Sequence, residues 1–111
     1  MTRYYEILIP RLTNSGARYQ NNEHGRFEDA VFRAAGGFSA LPEVAGAWRN
    51  SNGKAFWECM IPYRIMCHEQ TMQQLIAEAF RLFGDQEAIF CADIGHGHVY
   101  TREDVHMEAA Q

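Results

Sequence analysis

The chain has 111 residues and a mass of 12.7 kDa; 47% of its residues are hydrophobic, 13% aromatic and 22% charged, and its formal net charge is −4. These values predict one globular domain over residues 1–111 and exclude a disordered or fibrous chain. With isolated arginines and no apolar run near the ~20 residues of a membrane span, neither nucleic acid nor a membrane is an expected partner.

The opening "MTRYYEILIP" lacks a long apolar segment with a small-residue cleavage site, which predicts a cytoplasmic location. Its β-rich, partly alternating run predicts a first strand over residues 3–9, ending near Pro10. The polar stretch "TNSGARYQNNEHG" reads as a loop. From Arg26, the residues Phe27, Ala30, Val31 and Ala34 recur at helical spacing, and Gly36-Gly37 supplies a C-terminal stop. Those glycines end a helix, so a phosphate-binding loop, which needs them at a helix start, is excluded.

"LPEVAGAWRN" reads as a second strand, "SNG" as a turn tolerating positive φ at Asn52-Gly53, and "KAFWECMIPYRIMC" as a long returning strand. "EQTMQQLIAEAFRLFG" places Met72, Leu75, Ile76, Ala79, Phe80 and Phe83 on one face, with Thr71 and Gln74 spaced as a capping box and Gly84 as the stop. "QEAIFCADI" is the last strand, and "HGHVYTREDVHMEAAQ" extends it or frays. The order strand, helix, strand, strand, helix, strand predicts an α+β fold, a ferredoxin-like βαββαβ sandwich with two helices on one face of a four-stranded antiparallel sheet.

Alternation divides the long strand into two sets. Trp57, Cys59, Ile61, Tyr63 and Ile65 read as core, whereas Phe56, Glu58, Met60, Arg64 and Met66 face the side that the helices leave uncovered. Tyr5 is expected in the core and Tyr4 on the open face. An open face mixing Met60 and Met66 with charges is the composition of a subunit seam, which predicts a homo-oligomer.

Glu58 is the candidate catalytic carboxylate, because a desolvated carboxylate in a seam serves as a base or grips a ligand amine or ribose. Across the hairpin it is expected near Trp48 or Arg49, and these two, with Tyr4 and Arg64, are the candidate ligand-binding residues. The competing reading pairs Glu58 with Arg49 or Arg64 at a solvated edge. His96 and His98, two apart, share a strand face and would need His106 or His68 to complete a metal site. No carboxylate or thiolate stands at a supporting spacing, so no metal and no cofactor are expected. His68 and Glu69 read as a helix start. Cys59, Cys67 and Cys91 are odd in number without paired spacing, which predicts free thiols in apolar surroundings.

The run "RAAGGFSALPEVAGAWR", the acidic residue ten positions after its aromatic, and "YRIMCHEQTMQQLIAEAFRLFGDQEAIF" resemble the pattern of the small phage-encoded S-adenosylmethionine lyases, from about Tyr4 to Tyr100. Small bacterial proteins of unassigned function with a "YEILIP" start and a "GGF…P.V.G.WR" centre are similar too. The lyase resemblance implies a trimeric ferredoxin-like fold related to the PII signalling proteins and cleavage to methylthioadenosine and homoserine lactone in a site between subunits. It places Glu58 at that family's strand carboxylate and Trp48 at its active-site tyrosine. Indole offers a donor but no phenolic oxygen; an open-face Tyr4 is the candidate substitute. Two functions follow as expectations: binding of a small, nucleoside-like ligand at a subunit seam, or lyase-like turnover of S-adenosylmethionine.

Overall fold

A computed structural model describes residues 2–105. The elements are β1 (Thr2–Pro10), α1 (Glu23–Ala35), β2 (Ser39–Ala40), β3 (Val44–Arg49), β4 (Ala55–His68), α2 (Glu69–Leu82) and β5 (Cys91–Gly95), followed by a 3-10 turn at Glu103–Val105. All strand pairings are antiparallel, in the order β2-β4-β1-β5, with β3 also running along β4. The sheet therefore has four rows, as the sequence predicts, with β2 and β3 sharing one edge.

β1 alternates from Tyr4 to Ile9. Tyr5, Ile7 and Ile9 are buried against the helices together with Tyr63, Ile65 and Cys67 of β4. Phe27 and Val31 of α1, Met72, Leu75 and Ala79 of α2, and Phe83 just beyond α2 close that core from above. Each fully buried aliphatic or aromatic side chain contributes about 1.5–3 kcal/mol relative to exposure. Two phenols packed in or against the core find partners: Tyr63 donates to Glu28 Oε2 at 2.7 Å, and Tyr19 to Asp85 Oδ1 at 2.6 Å.

The expected second strand is two strands, because β2 and β3 are out of phase. Ser39 pairs with Arg64 and Ala40 with Tyr63, whereas Val44 pairs with Met60, so three residues, 41–43, span the two β4 positions 61 and 62. This is a β-bulge, and it falls opposite Pro62. Leu41 N–H donates to the Pro62 carbonyl at 2.9 Å. Pro62 lacks the N–H an unbroken ladder would use on this side, so the bulge sits where the ladder is already interrupted.

Other boundaries move for local reasons. α1 starts at Glu23 instead of Arg26, because Asn22 takes a left-handed conformation (φ 57) and its carbonyl accepts Arg26 N–H at 3.0 Å. α2 starts at Glu69 with His68 as N-cap and no side-chain capping bond, so Thr71 lies inside the first turn and the expected capping box is not formed. β5 begins at Cys91, and Gln86, expected in that strand, instead turns inward and donates to the Tyr19 hydroxyl at 2.8 Å. Trp57, expected in the core, is 84% exposed. β1 pairs with β4 only as far as Pro10 and Met60, so the outer part of the β3–β4 hairpin extends past the core.

Candidate functional site

The hairpin turn decides which side chains meet Glu58. Asn50 Oδ1 accepts the backbone N–H groups of Asn52 (3.0 Å) and Lys54 (2.9 Å), Asn50 N–H donates to the Lys54 carbonyl, and Gly53 takes φ 83. The last ladder pair is then Arg49 with Ala55, which puts Trp48 opposite Phe56 and Gly46 opposite Glu58. Residues directly opposite share a face, so Glu58, Trp48, Phe56, Gly46 and Met60 all lie on the sheet side away from the helices.

Trp48 Nε1–H donates to Glu58 Oε1 at 3.0 Å, and the Trp48 ring stacks on Phe56 with centroids 4.7 Å apart and planes 13° from parallel. Lys54 Nζ stands 4.9 Å from the Phe56 centroid, a cation over the outer end of that stack. Gly46 carries no side chain over Glu58, and a Cβ there would come within 2.8 Å of the Met60 methyl. The result is a cavity of about 500 Å³, floored by Leu8, Pro10, Glu58 and Met60 and walled by Trp48 on one side and Phe90 on the other. Burial pushes the Glu58 carboxyl above its usual range, and the Trp48 N–H draws it part of the way back. A carboxylate in this setting accepts hydrogen bonds strongly and takes up a proton more readily than a solvated one.

The remaining candidates lie elsewhere. Arg49 shares its face with Ala55, on the side opposite Glu58, so within one chain it does not reach the cavity. Arg64 Nε donates to Glu6 Oε1 at 3.0 Å, and the pair lies on the open face. Tyr4 is on the open face and Tyr5 in the core, as alternation predicts. Tyr4 and Arg64 line a different cavity, of about 590 Å³, at the other end of that face. Within one chain Tyr4 is therefore remote from Trp48.

His96 accepts from Arg3 Nη1 at 2.6 Å, and Arg3 Nε also donates to Asp93 at 2.9 Å. His98 packs edge-on against Tyr100, centroids 4.6 Å apart. Among the described residues no three acidic, histidine or cysteine side chains form a metal-binding group; His106 lies outside those residues. Cys59, Cys67 and Cys91 are free thiols, with Cys67 buried. No helix among the described residues is long and apolar enough to cross a membrane.

Gly46 and Phe90 are not among the residues the sequence places at the site, and alternation places Phe56 on the open face without assigning it to the site. Gly46 and Phe56 follow from the turn once the register is counted back from Asn50. Phe90 does not, because it reaches the cavity only through the path of the α2–β5 connection.

No family model matches the chain, and no curated protein does either. Solved structures do match it. A phage S-adenosylmethionine lyase in complex with S-methyl-5'-thioadenosine superposes with TM-score 0.63 and 15% identity, over 86% of this chain and 83% of that one. The divalent cation tolerance protein CutA1 of Thermus thermophilus gives 0.60 and 14% over 88% of both chains, and the periplasmic CutA of Archaeoglobus fulgidus 0.57 and 12% over 88% of both. The fold is ferredoxin-like. Within this ferredoxin-like frame the β3–β4 hairpin carries both the Glu58 carboxylate and the Trp48 indole that donates to it. Identities this low establish the architecture and leave the chemistry to the site.

Proposed function

We propose that the chain binds a small, nucleoside-like ligand in the Glu58 cavity and that it does so as a homo-oligomer whose seam runs over the open sheet face or its edges. The observation that carries the reading is the half-buried Glu58 carboxylate, held by Trp48 at 3.0 Å in a cavity whose remaining lining is apolar apart from Gln86. A carboxylate retained in such a place has a use for its second oxygen. A ribose diol or an amine supplies the donors it lacks, and the walls around Leu8, Met60 and Phe90 accept a planar heterocycle. Exposed Val44 and Phe90 flank the cavity, apolar surface of the kind a second subunit covers.

A second reading is supported by the fold shared with a phage S-adenosylmethionine lyase. In it the bound substrate's own carboxylate attacks its γ-carbon and expels methylthioadenosine, while the protein orients the chain and offsets charge. Glu58 accepts from the ribose or the amine in that arrangement. Trp48 fixes the carboxylate and does not act on the reacting atoms.

Calorimetric titration with S-adenosylmethionine and, separately, S-methyl-5'-thioadenosine tests both readings. Saturable heat with either compound is the expected result. Methylthioadenosine and homoserine lactone appearing by chromatography select the lyase reading, and binding without product selects the binding reading. Absence of heat with both at millimolar ligand removes the nucleoside class.

A further inference from the structure

The open face holds, beside the Glu58 cavity, another of different electrical character. The second lies between the α1–β2 connection, Ala35 to Ser39, and the strap His96 to Val99 that follows β5, with Tyr4, Arg64 and Met66 as its floor. Gly97 allows the strap to lie close to that floor: a Cβ there would be 3.2 Å from Met66 Sδ and 3.7 Å from the Tyr4 side chain. In a chain of net charge −4, the lining includes Arg64 and two histidines and no carboxylate. The Glu58 cavity is lined by one carboxylate and no cation.

We propose that this second cavity is a binding site for a planar organic anion, a phosphate or carboxylate carried on an aromatic ring. The donors are already on one face. Arg64 is tied to Glu6 through Nε alone, and Glu6 does not line the cavity, so the terminal nitrogens of the fork are available to an anion. Ser39 stands directly opposite Arg64, and Tyr4 is its diagonal neighbour across β1. The Tyr4 hydroxyl has no partner among the described residues, and His98 has its ring contact with Tyr100 and the charge of Asp104 nearby. The ring of the ligand is received by the Met66 thioether, Phe38 and the bare backbone at Gly97, soft and flat surfaces that match an aromatic edge. This assignment does not depend on the Glu58 reading, since the two cavities share no lining residue.

The test is titration of the full chain with phenyl phosphate and benzoate, with benzamide as the neutral analogue and inorganic phosphate as the ringless one. Phenyl phosphate or benzoate should bind one per chain, and benzamide and inorganic phosphate at least about tenfold more weakly, the loss expected when charge pairing or ring contact is removed. Arg64→Gln should weaken phenyl phosphate about tenfold and Tyr4→Phe by less, with S-methyl-5'-thioadenosine binding unaltered in both. Because Arg64→Gln leaves Glu6 without its partner, wild-type amide and imidazole resonances supply an independent reading: those of Gly97 and His98 should shift on titration. Binding of both anions no tighter than benzamide overturns the proposal. So does an affinity untouched by a folded Arg64→Gln, or a set of shifted resonances that excludes Gly97 and His98.

Discussion

Replacing Glu58 with Gln separates the two things the carboxylate does. In the fold it accepts one hydrogen bond from Trp48 at 3.0 Å. A bond to an ionised acceptor is worth about 1.5–3 kcal/mol net and one to a neutral amide about 0.5–1.5 kcal/mol, so the exchange gives up on the order of 1 kcal/mol. Gln also removes the cost of keeping a charge partly out of water, a contribution of opposite sign and similar size. Thermal stability at neutral pH should therefore change by less than about 1 kcal/mol, a shift of no more than roughly 5 °C for a domain of this size. The pH dependence fixes the sign. Burial raises the Glu58 pKa in the folded state above its ordinary 4.5, so its stabilising contribution is complete below that value and is lost as pH rises through the folded value. The midpoint of Glu58→Gln relative to wild type should thus rise as the pH is taken from below 4.5 up through the folded value. Binding of S-methyl-5'-thioadenosine should fall tenfold or more, equivalent to about 1.4 kcal/mol. Calorimetry and thermal melts at three pH values measure both quantities. An unchanged affinity, or a midpoint difference that moves the other way with pH, refutes the role assigned to the carboxylate.

Sedimentation at micromolar concentration should show a dimer or trimer; a monomer removes the seam. Asp85 is held below its ordinary value because hydrogen bonds from Tyr19, the Asn14 backbone and Gln86 outweigh the opposing effect of burial. Its contribution is present above about pH 3.8 and lost on acidification through the folded value, so Asp85→Asn should flatten the acid limb of the stability profile in urea melts. Phe27→Ala, at a fully buried position, should cost about 3–5 kcal/mol by the same method. Treatment with a chelator should leave the thermal midpoint in place; a drop restored by zinc would make ligands of His96 and His98.

The parts of the fold that could be read from the sequence are those where periodicity and burial agree. β1 alternates through most of its length and α2 keeps one apolar face, so Tyr5 and Leu75 could be assigned to the core directly. Trp57 fails the same test because alternation reports which face a residue occupies and says nothing about whether a helix covers that face. The Trp48–Glu58 pair was within reach of a register count, whereas Arg49 and Trp48 are neighbours that point to opposite faces and only the turn tells them apart. Tyr4 and Glu58 line separate cavities within one chain; strand alternation fixes a face and leaves position along that face undetermined. The close approach of Gly97 to Met66 is a tertiary fact that the spacing of His96 and His98 does not carry.

The bulge at residues 41–43 has a bearing on how this chain tolerates changes of length. Counted from the hairpin turn, Trp48 faces Glu58; counted from Ser39 with an unbroken ladder, Arg49 would take that side instead. The three residues beside Pro62 absorb this one-step disagreement, so the two ends of the edge keep separate phases. A residue gained or lost between Leu41 and Glu43 is taken up at a joint that is already irregular. The same change between Asn50 and Lys54 would exchange indole for guanidinium beside the carboxylate, turning an apolar, hydrogen-bonded pocket into an ion pair with every amino acid of β3 retained.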